Sequence, residues 1–513
     1  MATASSPAAD LSRSARHRLR LAATSRPTGG TRVLPAVLTV VGVAALLRLV
    51  YHPWYLNYDA RYALLWARDL VRGLTPDYTA DYAPTPHPLE TAVSMLATPF
   101  GDSGDQLMLW LILLAFGLLV WLTYRLGAEL FSPWVGVVAA LVVLTRPALE
   151  RDALLGYQDT GFAVLIVAAV LLEARSEAKP VASAARQGRG EAVLALLAVA
   201  GLMRPEAWVL GGLYVLWTWP AADNRRRVRL VALAALAPLL WALSDWFVTG
   251  DPLHSLHGTA KLAEAVDRRR EIDQAPYWTA QYFGYTLREP LVVGIPIGLV
   301  FAWRFRRRAA LLPLAVVVAM TVVFMLGPLF GLPLIGRYVR TPSVLLALFY
   351  GLAVCGWLLL ADPRARRLWR GLGILAAVLS AAFLPWHVGM LSDLERRVDR
   401  DGTMYAELRD AARAPAVRRA VQGCGGRISA SDHRPLPHLR YWLGTDPGTV
   451  GTIAAGASPL RDVLLLPRRV PLMRRFYQEN FPRVTVPAGY REIYRNAAWR
   501  VLAAPDCVTR LRA

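Results

Sequence analysis

Lysine is nearly missing from this chain: Lys179 and Lys261 are the only two among 58 basic residues, so the positive charge is carried by arginine. A net charge of +21 would suggest nucleic acid as the partner of a soluble protein. Here the arginines stand in short clusters between apolar runs, which argues for a membrane orientation signal and against a nucleic-acid partner. The sequence has no P-loop, no dinucleotide-binding glycine pattern and no Ser-nucleophile motif. Their absence argues against an ATP-driven pump and a cytoplasmic nucleotide-sugar enzyme. No internal repeat is evident, which weakens a transporter built from inverted repeats. Cysteine is scarce as well, with Cys355, Cys424 and Cys507 alone. After residue 390 no run is long enough to cross a bilayer.

What is present is apolar: 55% hydrophobic residues over 513 positions, the profile of a polytopic membrane protein. Eleven runs of roughly spanning length lie near 33–51, 106–124, 134–147, 159–173, 190–203, 207–220, 230–247, 290–303, 309–330, 342–360 and 371–389. The first is expected to be a retained span, because no small-residue cleavage pattern follows it. The fold expected is an all-α bundle of about eleven transmembrane helices, residues 33–389, preceded by a disordered basic tail, 1–32. The tail and the arginines at 175–189, 225–229, 304–308 and 364–370 fall on one side if the spans alternate, and that side is expected to be cytoplasmic. The opposite side then receives the loop 52–105 and residues 390–513. The latter hold a stretch expected to be helical at Leu391–Val421 and strand-like pieces such as DVLLLPR, YREIYR and AAWRVL, the pattern of a small extracytoplasmic α/β domain.

The densest cluster of acids follows the first run, in YLNYDARYALLWARDLVRGLTPDYTADYAPTPHPLE, Tyr55 to Glu90. Most such charges are solvated loop residues. Asp59 differs, because it stands close to the span among Tyr55, Tyr58, Tyr62 and Trp66; partial desolvation there is expected to raise its basicity. Arg204-Pro205-Glu206 between two apolar runs reads either as a charged turn or as a phosphate or sugar contact at the membrane surface. His87 with Glu90, and His254 with His257, have metal-compatible spacing but no recognisable third ligand, so loop polarity is the better reading and no metal is expected.

One span, a long loop opening on YDARYALLWARDLVRG, and a Pro-rich HPLE segment leading into the second span resemble the GT-C superfamily of integral-membrane glycosyltransferases. The similarity extends to Asp159, to LMRPEAW at 202–208 and to GRYVRTPSVLLALFYG at 336–351, and the bacterial mannosyl-, arabinosyl- and aminoarabinosyl-transferase-like proteins are nearest. The usual pair of adjacent acids is here Asp59-Ala60, which leaves one acid. The resemblance implies sugar transfer from a polyprenyl-phosphate donor, at the outer face of the cytoplasmic membrane, to a glycan, lipid or protein acceptor, without a cofactor. Asp59 is then the candidate general base. Arg204, Arg337, Arg340 and Lys261 are the candidate cations for the departing phosphate, with Glu206 and Tyr338 beside them. Arg61, Tyr62, His87, Glu90 and Asp159 are candidates for the acceptor or loop side of the site. A transporter or flippase of lipid-linked glycans is the rival reading, and a catalytically silent envelope scaffold a third.

Cys355, inside an apolar run, is expected to be a packing residue. Cys424 and Cys507 would both face an oxidising compartment in this topology, so a disulfide closing about 80 residues is expected, two unpaired thiols being the alternative.

Overall fold

The computed structural model describes residues 33–52, 54–177, 183–453, 462–477 and 481–511. The basic tail 1–32 and part of the arginine cluster at 175–189 lie outside them. Helix α1 (Val33–Val50) leads into two shorter helices, α2 (Tyr58–Val71) and α3 (Pro88–Met95). The bundle continues through α4 (Gly104–Leu130), α5 (Pro133–Leu144), α6 (Pro147–Leu154), α7 (Asp159–Glu177), α8 (Ser183–Gly201), α9 (Glu206–Thr218) and α10 (Asn224–Thr249). It closes with α11 (His254–Ala265), α12 (Ala275–Leu287), α13 (Leu291–Phe305), α14 (Arg307–Leu326), α15 (Arg340–Cys355), α16 (Pro363–Ala382) and α17 (Leu384–Arg413).

Every apolar run overlaps a helix, but the helices do not form eleven plain spans. Among the described residues five segments are long and apolar enough to cross a membrane, or eight if each of three bent pairs is one span. The pairs are α5 with α6, α12 with α13, and α16 with α17, bent by 61°, 100° and 46°. Proline stands at the start of α6 and α17 and directly before α13, where it cannot continue the preceding ladder of hydrogen bonds. The helix expected at Leu391–Val421 is accordingly two: α17 begins earlier, at Leu384, and stops before Pro415, where α18 (Pro415–Gly423) starts.

Small residues set the closest helix contacts. A Cβ on Gly298 of α13 would fall 1.7 Å from the Phe349 carbonyl oxygen of α15, so only glycine permits this approach.

The C-terminal domain adds β1 (Ile428–Ala430), α19 (Leu436–Leu443), β2 (Val450–Thr452), β3 (Val463–Pro467), α20 (Pro471–Tyr477), β4 (Arg491–Arg495), β5 (Trp499–Ala503) and α21 (Pro505–Arg510). Its sheet has the order β2-β1-β3-β5-β4; β1 runs parallel to β2 and β3, whereas β5 is antiparallel to β3 and β4. Strand β3 is buried throughout, Val463 and Leu465 in the main core and Leu464 and Leu466 on the other face, which explains its unbroken apolar sequence. A disulfide joins Cys424, after α18, to Cys507 of α21, with the Cα atoms 5.3 Å apart. Cys355 is a free, half-buried thiol at the end of α15.

This domain docks on α2 through buried charge. Arg440 donates to Asp69 at 2.6 Å, Arg68 donates to the Tyr441 and Thr445 carbonyls at 3.2 Å each, and His438 Nε2 lies 2.9 Å from the Leu56 carbonyl. Arg61 is fully buried, paired with Asp105 at 3.1 Å and packed 4.5 Å from the Tyr441 ring. Much of the charge that follows the first helix therefore seats a domain.

Candidate functional site

Asp59 is placed by a cap. The Asn57 side chain accepts hydrogen bonds from the backbone N–H groups of Asp59 and Ala60, at 2.8 and 3.1 Å, which starts α2 and fixes Asp59 in its first turn. The amide side chain and backbone N–H of Asn57 both donate to the Leu155 carbonyl, at 2.9 and 2.8 Å, tying α2 to the end of α6. The turn that follows, through Gly156 at φ +77°, carries the chain to Tyr157 and to Asp159 at the head of α7.

Two arginines meet these acids. Arg337 Nη1 donates to Asp59 Oδ2 at 2.6 Å, both side chains about one-fifth exposed. Arg204 donates to Asp159 and Glu206, and its guanidinium lies 4.1 Å from the Tyr338 ring. Arg340 is turned the other way, donating to Asp152 at 2.9 Å and to Thr286. All of these except Asp152 and Thr286 line one cavity of about 2750 Å³, together with His87. The cavity extends from Asp59 along apolar side chains of α9, α10 and α14, among them Leu213, Leu239, Leu314, Val318 and Val322.

The expectation that desolvation raises the basicity of Asp59 is corrected. Burial alone would push its carboxyl up, but Arg337 in contact, with Arg268 and His87 nearby, outweighs burial and holds it below the usual carboxylate range. Burial first, and then Arg337, depress His87 to about 3, so its imidazole is neutral. Glu90 is the group driven upward: burial, then repulsion from Asp59 and Asp159, raises it to about 8.

The remaining sequence candidates divide. Glu90 is buried behind the cavity and does not line it. Tyr62 is buried between Tyr58 and Trp66, and Arg61 serves the domain contact, so neither reaches the cavity. Lys261 is exposed on α11 and does not line the cavity. His254 stacks on Tyr78 and His257 pairs with Asp251 at 2.7 Å. Among the described residues no group of three or more His, Cys, Asp or Glu is arranged to hold a metal ion.

Sequence reasoning missed the wall supplied by the end of the chain: Arg397, Asp401 and Tyr405 of α17, and His433, Arg434 and Phe476 of the C-terminal domain. His433 stacks on Tyr82 at 4.9 Å and meets Tyr58, the neighbour of Asp59, edge-on at 5.7 Å. These residues lie more than 300 positions from Asp59, and no local pattern announces them.

No family model and no curated protein matches the sequence. Solved structures do. The chain is similar to ArnT from Cupriavidus metallidurans bound to undecaprenyl phosphate, at 16% identity and TM-score 0.58, over 93% of this chain and 98% of that one. The apo structure of the same protein gives 14% and 0.52, over 92% and 98%. The oligosaccharyltransferase of Archaeoglobus fulgidus gives 12% and 0.50, over 80% of this chain and 64% of that one. The chain thus has the GT-C fold that its sequence resembles, and with its apolar helices it is a membrane protein.

Proposed function

We propose that this chain is a glycosyltransferase that moves a sugar from a polyprenyl-phosphate donor to an acceptor at the extracytoplasmic face of the membrane. The observation that carries this reading is the continuity of one cavity: the Asp59–Arg337 pair stands at its polar part, and apolar faces of α9, α10 and α14 line its flank. A polyprenyl phosphate has the same division, a charged head on an apolar chain. The similar ArnT structure holds undecaprenyl phosphate, which agrees with such a donor. The arginine clusters on the opposite loops support placing the site and the C-terminal domain outside.

In this mechanism the donor phosphate takes over Arg337 from Asp59, and Arg204 supports it. Losing its cation raises the basicity of Asp59, so the carboxylate becomes a useful base only when donor is bound. The acceptor oxygen then bonds to the anomeric carbon as the bond from that carbon to the phosphate oxygen breaks. The electron pair leaves on the phosphate, and the acceptor proton passes to Asp59. Arg337 and Arg204 stabilise the charge that develops on the leaving phosphate.

The test is transfer of radiolabelled sugar from undecaprenyl-phosphate donors by the purified protein in lipid, with membrane extract as acceptor source. Asp59→Asn should lower turnover by roughly 100- to 10,000-fold while undecaprenyl phosphate still binds. Near-normal turnover of the Asn variant would remove Asp59 from the reaction.

A further inference from the structure

The arginines that line the cavity fall into two sets. Arg204, Arg337, Arg340, Arg400 and Arg151 each have a carboxylate within 4 Å. Arg268, Arg269, Arg397 and Arg434 line the same cavity and make no ion pair, Arg269 lying over the Trp278 ring at 3.7 Å. The last two come from α17 and from the turn after β1. Arg434 packs 5.4 Å from Phe476 and 5.3 Å from Tyr477 and donates to the Phe476 carbonyl at 3.3 Å, so its charge is positioned but not neutralised. Arg397 is exposed to the cavity without a partner among the described residues.

This unpaired set is joined to the reacting centre. Arg434 follows His433, whose ring meets Tyr58 at 5.7 Å, one residue from Asp59. Arg268 lines the cavity with Asp59 and His433, and its charge acts on both. Asp267 and Glu271 line the cavity beside Arg268 and offset part of the charge there, whereas no carboxylate pairs with Arg397 or Arg434; an anion bound against these two gains charge-assisted hydrogen bonds. The donor phosphate does not fill this role, because Arg337 and Arg204 already serve it beside the apolar flank. Tyr82, His433 and Phe476 add ring surfaces to the same wall, suited to the C–H faces of a sugar.

We infer that Arg397 and Arg434, with Arg268, form an acceptor subsite for a sugar bearing a negative charge, held by the C-terminal domain beside Asp59. The inference rests on the glycosyltransferase reading for the word acceptor; the anion site itself stands on the cavity geometry. The charge is that of a phosphate ester or a carboxylate, and the subsite takes either chemistry.

The full-length protein in lipid nanodiscs tests it by titration with glucose 6-phosphate, glucuronate and glucose at equal ionic strength, and separately with undecaprenyl phosphate. At least one charged sugar should bind about tenfold or more tightly than glucose, and which one does identifies phosphate or carboxylate as the charge. Arg397→Gln and Arg434→Gln should each erase most of that preference while keeping the affinity for undecaprenyl phosphate, and Arg397→Lys should retain it. Because Arg397 is exposed, its variants report on binding even where Arg434→Gln is unstable. Equal binding of all three sugars, or an unchanged preference in the Arg397→Gln variant, would overturn the subsite. So would displacement of the charged sugars by undecaprenyl phosphate, which would put them on Arg337. Failure of the wild type to bind undecaprenyl phosphate, with the charged sugars still discriminated, would instead sink the glycosyltransferase reading and leave the anion site standing.

Discussion

Asp59 and Glu90 show how environment sorts two carboxylates in one loop. Contact with Arg337 keeps Asp59 ionised, whereas Glu90, behind the cavity wall, is raised to about 8. Its raised value makes the folded protein bind a proton that the unfolded chain has released, between the ordinary value of 4.5 and about 8. Stability is therefore lost as pH rises through that window, by roughly 4 kcal/mol at its upper end. Glu90→Gln, which mimics the protonated form, should leave the melting temperature near pH 5 almost unchanged and raise it near pH 8. Parallel melting curves of wild type and variant across that range would show that Glu90 does not titrate there.

At the scale of elements, the site depends on where helices begin. Asn57 caps α2 and binds the end of α6, so one side chain sets Asp59 against the turn that leads to Asp159. Asn57→Ala should cost about 1–2 kcal/mol of stability. It should also lower turnover by tenfold to a hundredfold, because in the proposed mechanism a displaced Asp59 loses its alignment as base. Asn57→Ser keeps an oxygen for the cap but loses the donor to Leu155, and should fall between the two. Unchanged turnover in Asn57→Ala, measured under saturating donor, would mean that the cap does not align Asp59. The same scale explains the span count. The bends at α5–α6, α12–α13 and α16–α17 divide apolar stretches that a hydropathy reading counts as straight crossings.

Across the whole molecule, a membrane bundle and an α/β domain share one cavity, and buried ion pairs hold them in register. Arg440 and Asp69 are almost completely buried, and removing one partner strands the other charge. Arg440→Ala should cost about 3–5 kcal/mol and expose the domain junction to limited proteolysis; the paired Asp69→Ala/Arg440→Ala change should recover part of the loss. A protease pattern identical to wild type would show that the apolar contacts suffice. The Cys424–Cys507 bridge spans a sequence separation of 83. Reducing it should lower the stability of the C-terminal domain by about 4 kcal/mol in the chain-entropy account, readable as a shift in thermal unfolding with and without reductant. Identical unfolding under both conditions would remove the bridge as a source of stability.

The sequence by itself determined the membrane character, the helix content and the strand segments, because apolar length and residue period are local properties. DVLLLPR and YREIYR contain β3 and β4, and every apolar run overlaps a helix. It also marked Asp59, Arg204 and Arg337, since charges at the edges of apolar runs stand out against their surroundings. Only the tertiary structure decided which charges meet. Arg61 and Arg337 look alike in the chain, yet one is buried against Asp105 under the C-terminal domain and the other reaches Asp59 from 278 positions away. The side of the cavity built by Arg397, His433 and Arg434 has no counterpart in any local pattern. Coulombic pairing acts through space within a few ångströms, and the chain brings those partners together only after its helices have packed and its last domain has docked.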